Sequence, residues 1–286
     1  VRVLHGTANV VASLRLFEGR QLTPGASAFA RLRFPTVITS FAGQRAVIRS
    51  LSPAETIGGA VIIDPEPAGN SANKKRRLET LQASERGDIP GIAAALACEN
   101  LGVARIADIS RLARIPADKV GRELAAAFVE VTHAAVSPSS TIEGIRKSYI
   151  AQLESFHAAF PLKPFAPREP KFVPHTAPEL IGFVEAALVS EGKLVLSSGG
   201  LALSTPDPRN HLTASQEERM ARLAAELKAA GLKPPSPESF SPDALDADLL
   251  TLLIHEGTAI RLINVSLRQT LVFHCDAVAE AVQRLK

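Results

Sequence analysis

Apolar residues alternate with polar or small ones along the first part of the chain. In residues 10–16, Val, Ala, Leu and Leu occupy every second position, which is the period of a half-buried β-strand. Further strands are predicted over residues 28–34 and 44–48. Short strands at this spacing predict that residues 1–67 form a small β-barrel or sandwich.

The pattern changes after residue 67. Residues 68–77 begin with Ala-Gly-Asn-Ser-Ala-Asn, which resists regular structure, and end in the basic run Lys74-Lys75-Arg76-Arg77. This composition predicts a linker over residues 68–77. From residue 78 onward the chain is rich in Ala, Leu, Glu and Arg, and its apolar residues follow a helical period.

An internal repeat dominates the second half of the chain. Leu-Val-Ser-Glu-Gly at residues 188–192 recurs as Leu-Ile-His-Glu-Gly at residues 253–257. Each copy closes a predicted helix, and its Gly suits the left-handed position that follows a helix end. Two predicted strands follow each copy, at 193–196 and 201–204 and at 259–263 and 270–273. Helix, glycine stop and hairpin together are typical of the third helix and wing of a winged-helix unit.

Two more helices are predicted upstream of these copies, over residues 142–160 and 214–230. A further unit fits residues 78–136, where Ile106, Ile109 and Leu112 line one helix face and Pro116 ends that helix, as in a helix-turn-helix. The fold class that we predict is α+β multidomain, with tandem winged helices after the β region. The winged helices are assigned to residues 78–138, 139–208 and 209–275, with the start of a truncated fourth at 276–286.

Residues 45–65 carry the most distinctive sequence pattern in the chain. Two β-branched segments flank a turn that carries Ser52-Pro53 and Thr56-Ile57-Gly58-Gly59. The paired glycines are expected to supply backbone torsions that other residues resist. The segment resembles the end of the third domain of the selenocysteine-specific translation elongation factors, the SelB family. In that family the block closes a small β-barrel, like the third domain of elongation factor Tu. The matching residues are Arg49, Ser52, Pro53, Thr56, Ile57, Gly58, Gly59, Asp64 and Pro65; Ala60 replaces a third glycine.

The order barrel, linker and winged helices extends this resemblance over nearly the whole chain. It implies a factor that carries selenocysteinyl-tRNA to ribosomes at a recoded UGA codon, with GTP and Mg²⁺ bound in an N-terminal domain. The winged-helix arm would reach a hairpin (SECIS) in the messenger RNA. The chain begins with Val1 in a strand pattern and its only methionine is Met220, so we expect a C-terminal fragment that couples hairpin recognition to tRNA delivery.

Two groups of basic residues are candidates for RNA binding. The first is the run Lys74, Lys75, Arg76 and Arg77, although a solvated linker and helix start is the favoured interpretation of that run. The second follows from the resemblance, which places Arg261 and Arg268 on the third wing beside the hairpin RNA. Wing arginines suit RNA that is recognised by shape and backbone contacts.

Catalytic chemistry is not predicted for this fragment. No G-x-x-x-x-G-K-[ST] phosphate loop occurs, so neither GTP hydrolysis nor a bound cofactor is expected. No metal site is expected either, because His274 and Cys275 would point to opposite faces of one strand. No apolar window long enough for a membrane span and no signal peptide occur, so we expect a cytoplasmic monomer.

Two other function classes remain open. A tandem winged-helix DNA-binding regulator would need basic or amide side chains at the start of its recognition helices. Residues 176–180 and 241–245 are acidic and apolar instead. A protein-interaction scaffold suits the formal net charge of +3 but leaves the 45–65 block unexplained.

Overall fold

A computed structural model describes residues 1–67, 73–167, 173, 175–197, 200–204, 212–234, 243–264 and 269–284. The chain divides into two compact units. Unit 1 comprises residues 1–145 and 175–184, and unit 2 comprises residues 146–174 and 185–286. The five predicted domain boundaries remain predictions.

Residues 1–67 form two small antiparallel sheets around a modest core. The order β2-β1-β5-β6 makes a four-stranded sheet, and β3 pairs with β4 separately. Val3, Ala12 and Ala46 are buried between them. Pairing among these strands does not close a barrel, so the structure supports the predicted β fold only as small sheets. The strands are β1 Arg2–His5, β2 Ala8–Val11, β3 Ser13–Leu16, β4 Ala30–Arg33, β5 Arg45–Arg49 and β6 Thr56–Val61.

The turn in the 45–65 block is tighter than the sequence predicted. The Ser50 amide donates to the Glu55 carbonyl at 2.8 Å, and Arg49 Nη2 donates to the Ala54 carbonyl at 2.5 Å. β6 therefore starts at Thr56, and Gly58 and Gly59 lie within it. Neither glycine has a left-handed φ, so the expectation that they supply unusual torsions was wrong.

The rest of unit 1 is mainly helical, with one three-stranded sheet in the order β7-β9-β8. Ile92, Ile109, Leu112 and Val120 are fully buried in its core. Helices on either side of Pro116 confirm the predicted helix-turn-helix. The elements are α1 Lys74–Arg86, α2 Ile89–Glu99, β7 Ala104–Arg105, α3 Ile106–Ala113, α4 Ala117–Leu124, β8 Phe128–Thr132 and β9 Ala135–Pro138.

Helix α1 begins at Lys74, inside the segment 68–77 that was predicted to be a linker. The side chain of Asn73 accepts hydrogen bonds from the amides of Lys75 and Arg76, at 3.1 and 3.3 Å. An Asn at this position satisfies amides that the first turn leaves without partners. The basic run is therefore the first turn of a helix.

The remaining elements confirm the predicted repeat. Both repeat helices are followed by antiparallel hairpins, and Gly192 and Gly257 have the expected positive φ, of 68° and 78°. Leu201 also forms a bridge to Ala166, which adds a third segment to the first of these hairpins. The elements are α5 Ser139–Ala159, α6 Pro178–Ser190, β10 Leu194–Ser197, β11 Gly200–Leu203, α7 Ala214–Ala230, α8 Ala244–His255, β12 Ala259–Asn264, β13 Gln269–His274 and α9 Cys275–Arg284.

Unit 2 contains a leucine-rich core and a buried polar pair. Leu223, Leu227 and Leu249 are almost completely buried. The hydroxyl of Tyr149 on α5 donates to Glu185 Oε1 on α6 at 2.5 Å, and both side chains are buried. Because buried polar groups need partners, this bond fixes how the two helices pack. No described helix has the length and apolarity required to cross a membrane.

Candidate nucleic-acid interface

Asp64 lies at the centre of a buried group of charges in unit 1. It follows β6, and its side chain is only 3% exposed. Its two carboxylate oxygens pair with Arg77 of α1 and Arg111 of α3. This carboxylate therefore connects the end of the β region to two helices that follow it in the chain.

Two more carboxylates complete what we call the Asp64 cluster: Asp64, Arg77, Glu99, Asp108 and Arg111. Arg77 Nη1 is 3.8 Å from Glu99 Oε1, and Arg111 Nη2 is 2.6 Å from Asp108 Oδ1. The three carboxylates more than balance the two guanidinium groups. Such a cluster holds elements together and offers no net positive charge to a phosphate.

Burial lowers the pKa of Arg77, and the charges of Glu99 and Asp108 oppose that effect. Burial also lowers the pKa of Arg111. Guanidinium groups nevertheless stay protonated in proteins. Both arginines are thus charges held inside unit 1, and each requires its carboxylate partner.

The side chains of the predicted basic run lie in two different environments, exposed and buried. Arg77 is buried in the Asp64 cluster, and Arg76 Nη1 donates to the Cys98 carbonyl near the end of α2 at 2.8 Å. Lys74 and Lys75 are exposed. Arg76 is exposed as well, so Lys74, Lys75 and Arg76 keep both the charge and the accessibility that a phosphate contact requires, whereas Arg77 does not.

The second candidate group, Arg261 and Arg268, is only partly described. Arg261 lies on β12 and is exposed, as are its neighbours Leu262 and Ile263. Arg268 lies outside the described residues. Arg261 belongs to unit 2, whereas Lys74 and Lys75 belong to unit 1. The two groups therefore form separate candidate surfaces.

A second contact between the β region and the helices involves Arg114. Arg114 ends α3 with a left-handed φ of 60°, and its side chain lies over Gly43, so that a Cβ on Gly43 would be 3.6 Å from Arg114 Nη1. With Asp64, this contact packs the β region against α3. Asp64 was matched to the family block, but its ionic role was not predicted from the sequence. One signal was visible: an acidic residue directly after the apolar run Val61-Ile62-Ile63.

Unit 2 has its own ion pair, between half-buried Arg219 and buried Asp246, which was not predicted from the sequence. Arg219 of α7 binds Asp246 of α8 through two bonds, Nε to Oδ1 at 2.5 Å and Nη2 to Oδ2 at 2.9 Å. It also pairs with Asp243, the residue that caps α8. These hydrogen bonds raise the pKa of Arg219. Paired side chains of this kind align helices and leave Arg219 committed to carboxylates.

No protein-family model matches the chain. A curated relative, the selenocysteine-specific elongation factor of Desulfomicrobium baculatum, is 25% identical over 275 residues, which covers 90% of this chain and 43% of the relative. The crystal structure of a bacterial selenocysteine-specific elongation factor, EF-Sec, matches with a TM-score of 0.58 at 13% identity, over 99% of this chain and 42% of that one. The chain thus spans less than half the length of either protein. The predicted resemblance to selenocysteine-specific elongation factors is confirmed.

Proposed function

We propose that this chain is the C-terminal part of a translation elongation factor for selenocysteine, and that it links messenger RNA recognition to delivery of selenocysteinyl-tRNA. The observation that carries this proposal is the similarity to a selenocysteine-specific elongation factor over 90% of the chain. GTP hydrolysis would belong to another part of the same protein. The site of action would be the ribosome in the cytoplasm.

In this proposal the elements have separate roles. Residues 1–67 act as the barrel-type third domain, and the helical segments with hairpins act as winged helices in an arm. The order α2-β7-α3-α4-β8-β9, with its sheet order β7-β9-β8, supports the winged-helix assignment of the first unit. The Asp64 cluster then carries mechanical coupling, because it joins the β region to α1 and α3 through buried charges.

The exposed basic residues define where RNA would bind. Lys74 and Lys75 at the start of α1, and Arg261 on the hairpin β12–β13, are accessible in their respective units. Arg268 remains a proposed contact of the same hairpin. Arg76 stays a proposed contact, because it is exposed beside its hydrogen bond to the Cys98 carbonyl, and Arg77 is reassigned to the Asp64 cluster.

A binding experiment with a labelled stem–loop RNA tests the proposal. The RNA is taken from a selenoprotein message, just downstream of its UGA codon. We would compare this chain with a version extended through a complete fourth winged helix. The proposal expects the extended chain to bind the stem–loop more tightly than it binds duplex DNA or an RNA with a scrambled stem. A preference for duplex DNA would instead support the regulator interpretation, and no binding to either would support the scaffold.

Two variants sharpen this test. Arg261→Gln in the extended chain should weaken stem–loop binding several-fold, because a phosphate contact is lost. Lys147→Gln removes an exposed charge from α5 and serves as the matched control. Equal effects of the two substitutions would show that charge alone, and not the hairpin surface, governs binding.

A further inference from the structure

His274, Cys275 and Asp276 are brought together at the junction between β13 and α9. The strand ends at His274 and the helix begins at Cys275. The expectation that His274 and Cys275 point to opposite faces assumed a continuous strand, so its premise does not hold here. One ligand atom from each of the three residues lies within 4.8 Å of the others.

We propose that these three side chains form a binding site for a divalent transition-metal ion of the zinc class. The separations of their donor atoms carry the proposal. His274 Nδ1 is 3.8 Å from Cys275 Sγ and 3.5 Å from Asp276 Oδ2, and Cys275 Sγ is 3.7 Å from Asp276 Oδ1. Zinc–ligand bond lengths and tetrahedral angles place neighbouring donors roughly 3.4–3.6 Å apart. Because the two distances to Asp276 run to different oxygens, and one donor atom from each residue lies within 4.8 Å of the others, the donors would approach one another by up to roughly 1 Å to complete three corners of a tetrahedron.

Nδ1 is the ring nitrogen of His274 that faces the next two residues. The backbone amide of Asp276 donates to His274 Nδ1 at 3.2 Å, so Nδ1 carries the lone pair and Nε2 carries the proton. A metal ion would take that lone pair in place of this hydrogen bond. His274 itself is only 9% exposed, which restricts its rotation and reduces the entropy lost on binding.

The donor set selects the class of ion. A thiolate, an imidazole and a carboxylate together suit zinc better than magnesium or calcium, which prefer oxygen ligands only. Asp276 is exposed and Cys275 half-buried, so the fourth position is open to water. Coordination would release the Cys275 thiol proton to solvent and involves no electron transfer.

Lys228 of α7 competes with the metal. Its ammonium nitrogen is 2.8 Å from Asp276 Oδ2, and its side chain is 64% exposed, so it is free to move into solvent. Binding would exchange this exposed ion pair for a metal bond that fastens the first turn of α9 to the end of β13. Lys228→Gln should therefore tighten metal binding several-fold.

Titration of the full chain with Co²⁺ under reducing conditions tests the site. Tetrahedral coordination with one thiolate should produce a sulfur-to-cobalt charge-transfer band that saturates at one equivalent and is displaced by Zn²⁺. Cys275→Ala should abolish the band, whereas Cys98→Ala, which removes the other free and exposed thiol, should leave it unchanged. No charge-transfer band, or a band that depends on Cys98, would overturn the proposal.

The carboxylate ligand needs a separate variant. Because loss of an outer-shell partner alone weakens metal affinity by roughly 10–100-fold, Asp276→Asn should weaken Co²⁺ binding at least about 10-fold. Circular dichroism checks that each variant retains its helices. A loss of less than twofold in Asp276→Asn would rule out the three-ligand site. None of these outcomes depends on RNA binding or on the proposed role in translation.

Discussion

A single carboxylate, that of Asp64, holds two arginines that come from separate helices. Because the side chains of Asp64 and Arg77 are 3% and 5% exposed, water cannot replace either partner cheaply. Breaking a buried pair by removing one member leaves the other charge uncompensated. Loss of the Asp64 carboxylate would therefore weaken the packing of both α1 and α3 against the β region.

Asp64→Asn should lower the free energy of unfolding by about 3 kcal/mol, because two buried guanidinium groups lose their common anion. Urea denaturation followed by circular dichroism measures the change. Glu66→Gln, a loss of charge at an exposed residue two positions away, should change stability by less than about 0.5 kcal/mol. Similar losses in both variants would mean that the Asp64 cluster contributes little.

Glu191 provides a pH-dependent prediction in unit 2. Hydrogen bonds from Arg146 and Lys193 lower the pKa of Glu191 to about 2. Because the folded pKa lies below the unfolded value, this carboxylate stabilises the fold above about pH 4.5 and loses that effect as pH falls toward about 2. Arg146→Gln should raise the pKa of Glu191 toward its ordinary value, as measured by carbon NMR of the labelled carboxyl.

Lys193→Gln is the matched comparison for that titration. Arg146 lies 2.6 Å and Lys193 lies 2.9 Å from the same Glu191 oxygen, and the Arg146 bond is the larger cause of the shift. The lysine variant should therefore raise the pKa less. A larger shift in Lys193→Gln than in Arg146→Gln would contradict this order.

Individual side-chain roles were the hardest to predict from the sequence. The run Lys74–Arg77 is uniform in charge, yet the helix that begins at Lys74 turns Arg77 inward and leaves the two lysines outside. That separation depends on the helix register and on acids at residues 64 and 99, which are distant in sequence. Local composition cannot supply such long-range pairings.

The strand β6 carries two glycines that its own packing does not require. Space beside Gly58 is open, and the atom nearest to a Cβ on Gly59 would be the Ala46 carbonyl oxygen at 3.9 Å. Both are exposed and have ordinary strand torsions. A methyl group at either position would therefore meet no close neighbour.

Gly58→Ala and Gly59→Ala should leave stability unchanged or raise it by up to about 1 kcal/mol, because alanine loses less backbone entropy in a strand. Gly200→Ala is the contrasting variant. Gly200 has a φ of 135°, and a Cβ there would lie 2.1 Å from the Ala166 carbonyl oxygen, so a loss of roughly 1–3 kcal/mol is expected. Thermal unfolding compares the three, and equal effects would contradict this assignment.

Secondary-structure elements were predicted well where the pattern is local. Residues 214–230 were expected as a helix and form α7 with those bounds, and both glycine-stopped hairpins appear where the repeat indicated. Strand β6 was not predicted at Gly58 and Gly59. These glycines lie in a strand because β6 pairs with β5 at five positions. Pairing of this kind overrides the low strand preference of glycine.

The whole molecule carries little net charge, which bounds its electrostatic binding. Its formal net charge is +3, and Arg77, Arg111 and Arg219 are paired with carboxylates. Long-range attraction of a polyanion should therefore be weak, and affinity must come from local surfaces.

The salt dependence of RNA binding should accordingly be shallow. Four accessible phosphate contacts, from Lys74, Lys75, Arg76 and Arg261, predict a slope of about −3 in a plot of log affinity against log salt. Lys74→Gln combined with Lys75→Gln should flatten it by about 1.4. Fluorescence anisotropy with a labelled stem–loop measures both slopes, and a slope steeper than about −5 would show that other basic residues make most of the contacts.

Tyr149, whose hydroxyl is bonded to Glu185, also makes the molecule unusually simple to observe. The chain has one tyrosine and no tryptophan, so all tyrosine emission arises from this buried phenol. Separation of the phenol from its carboxylate partner should change both absorption and emission. Ultraviolet spectroscopy of the unlabelled protein thus becomes a site-specific probe of unit 2, with no engineered fluorophore.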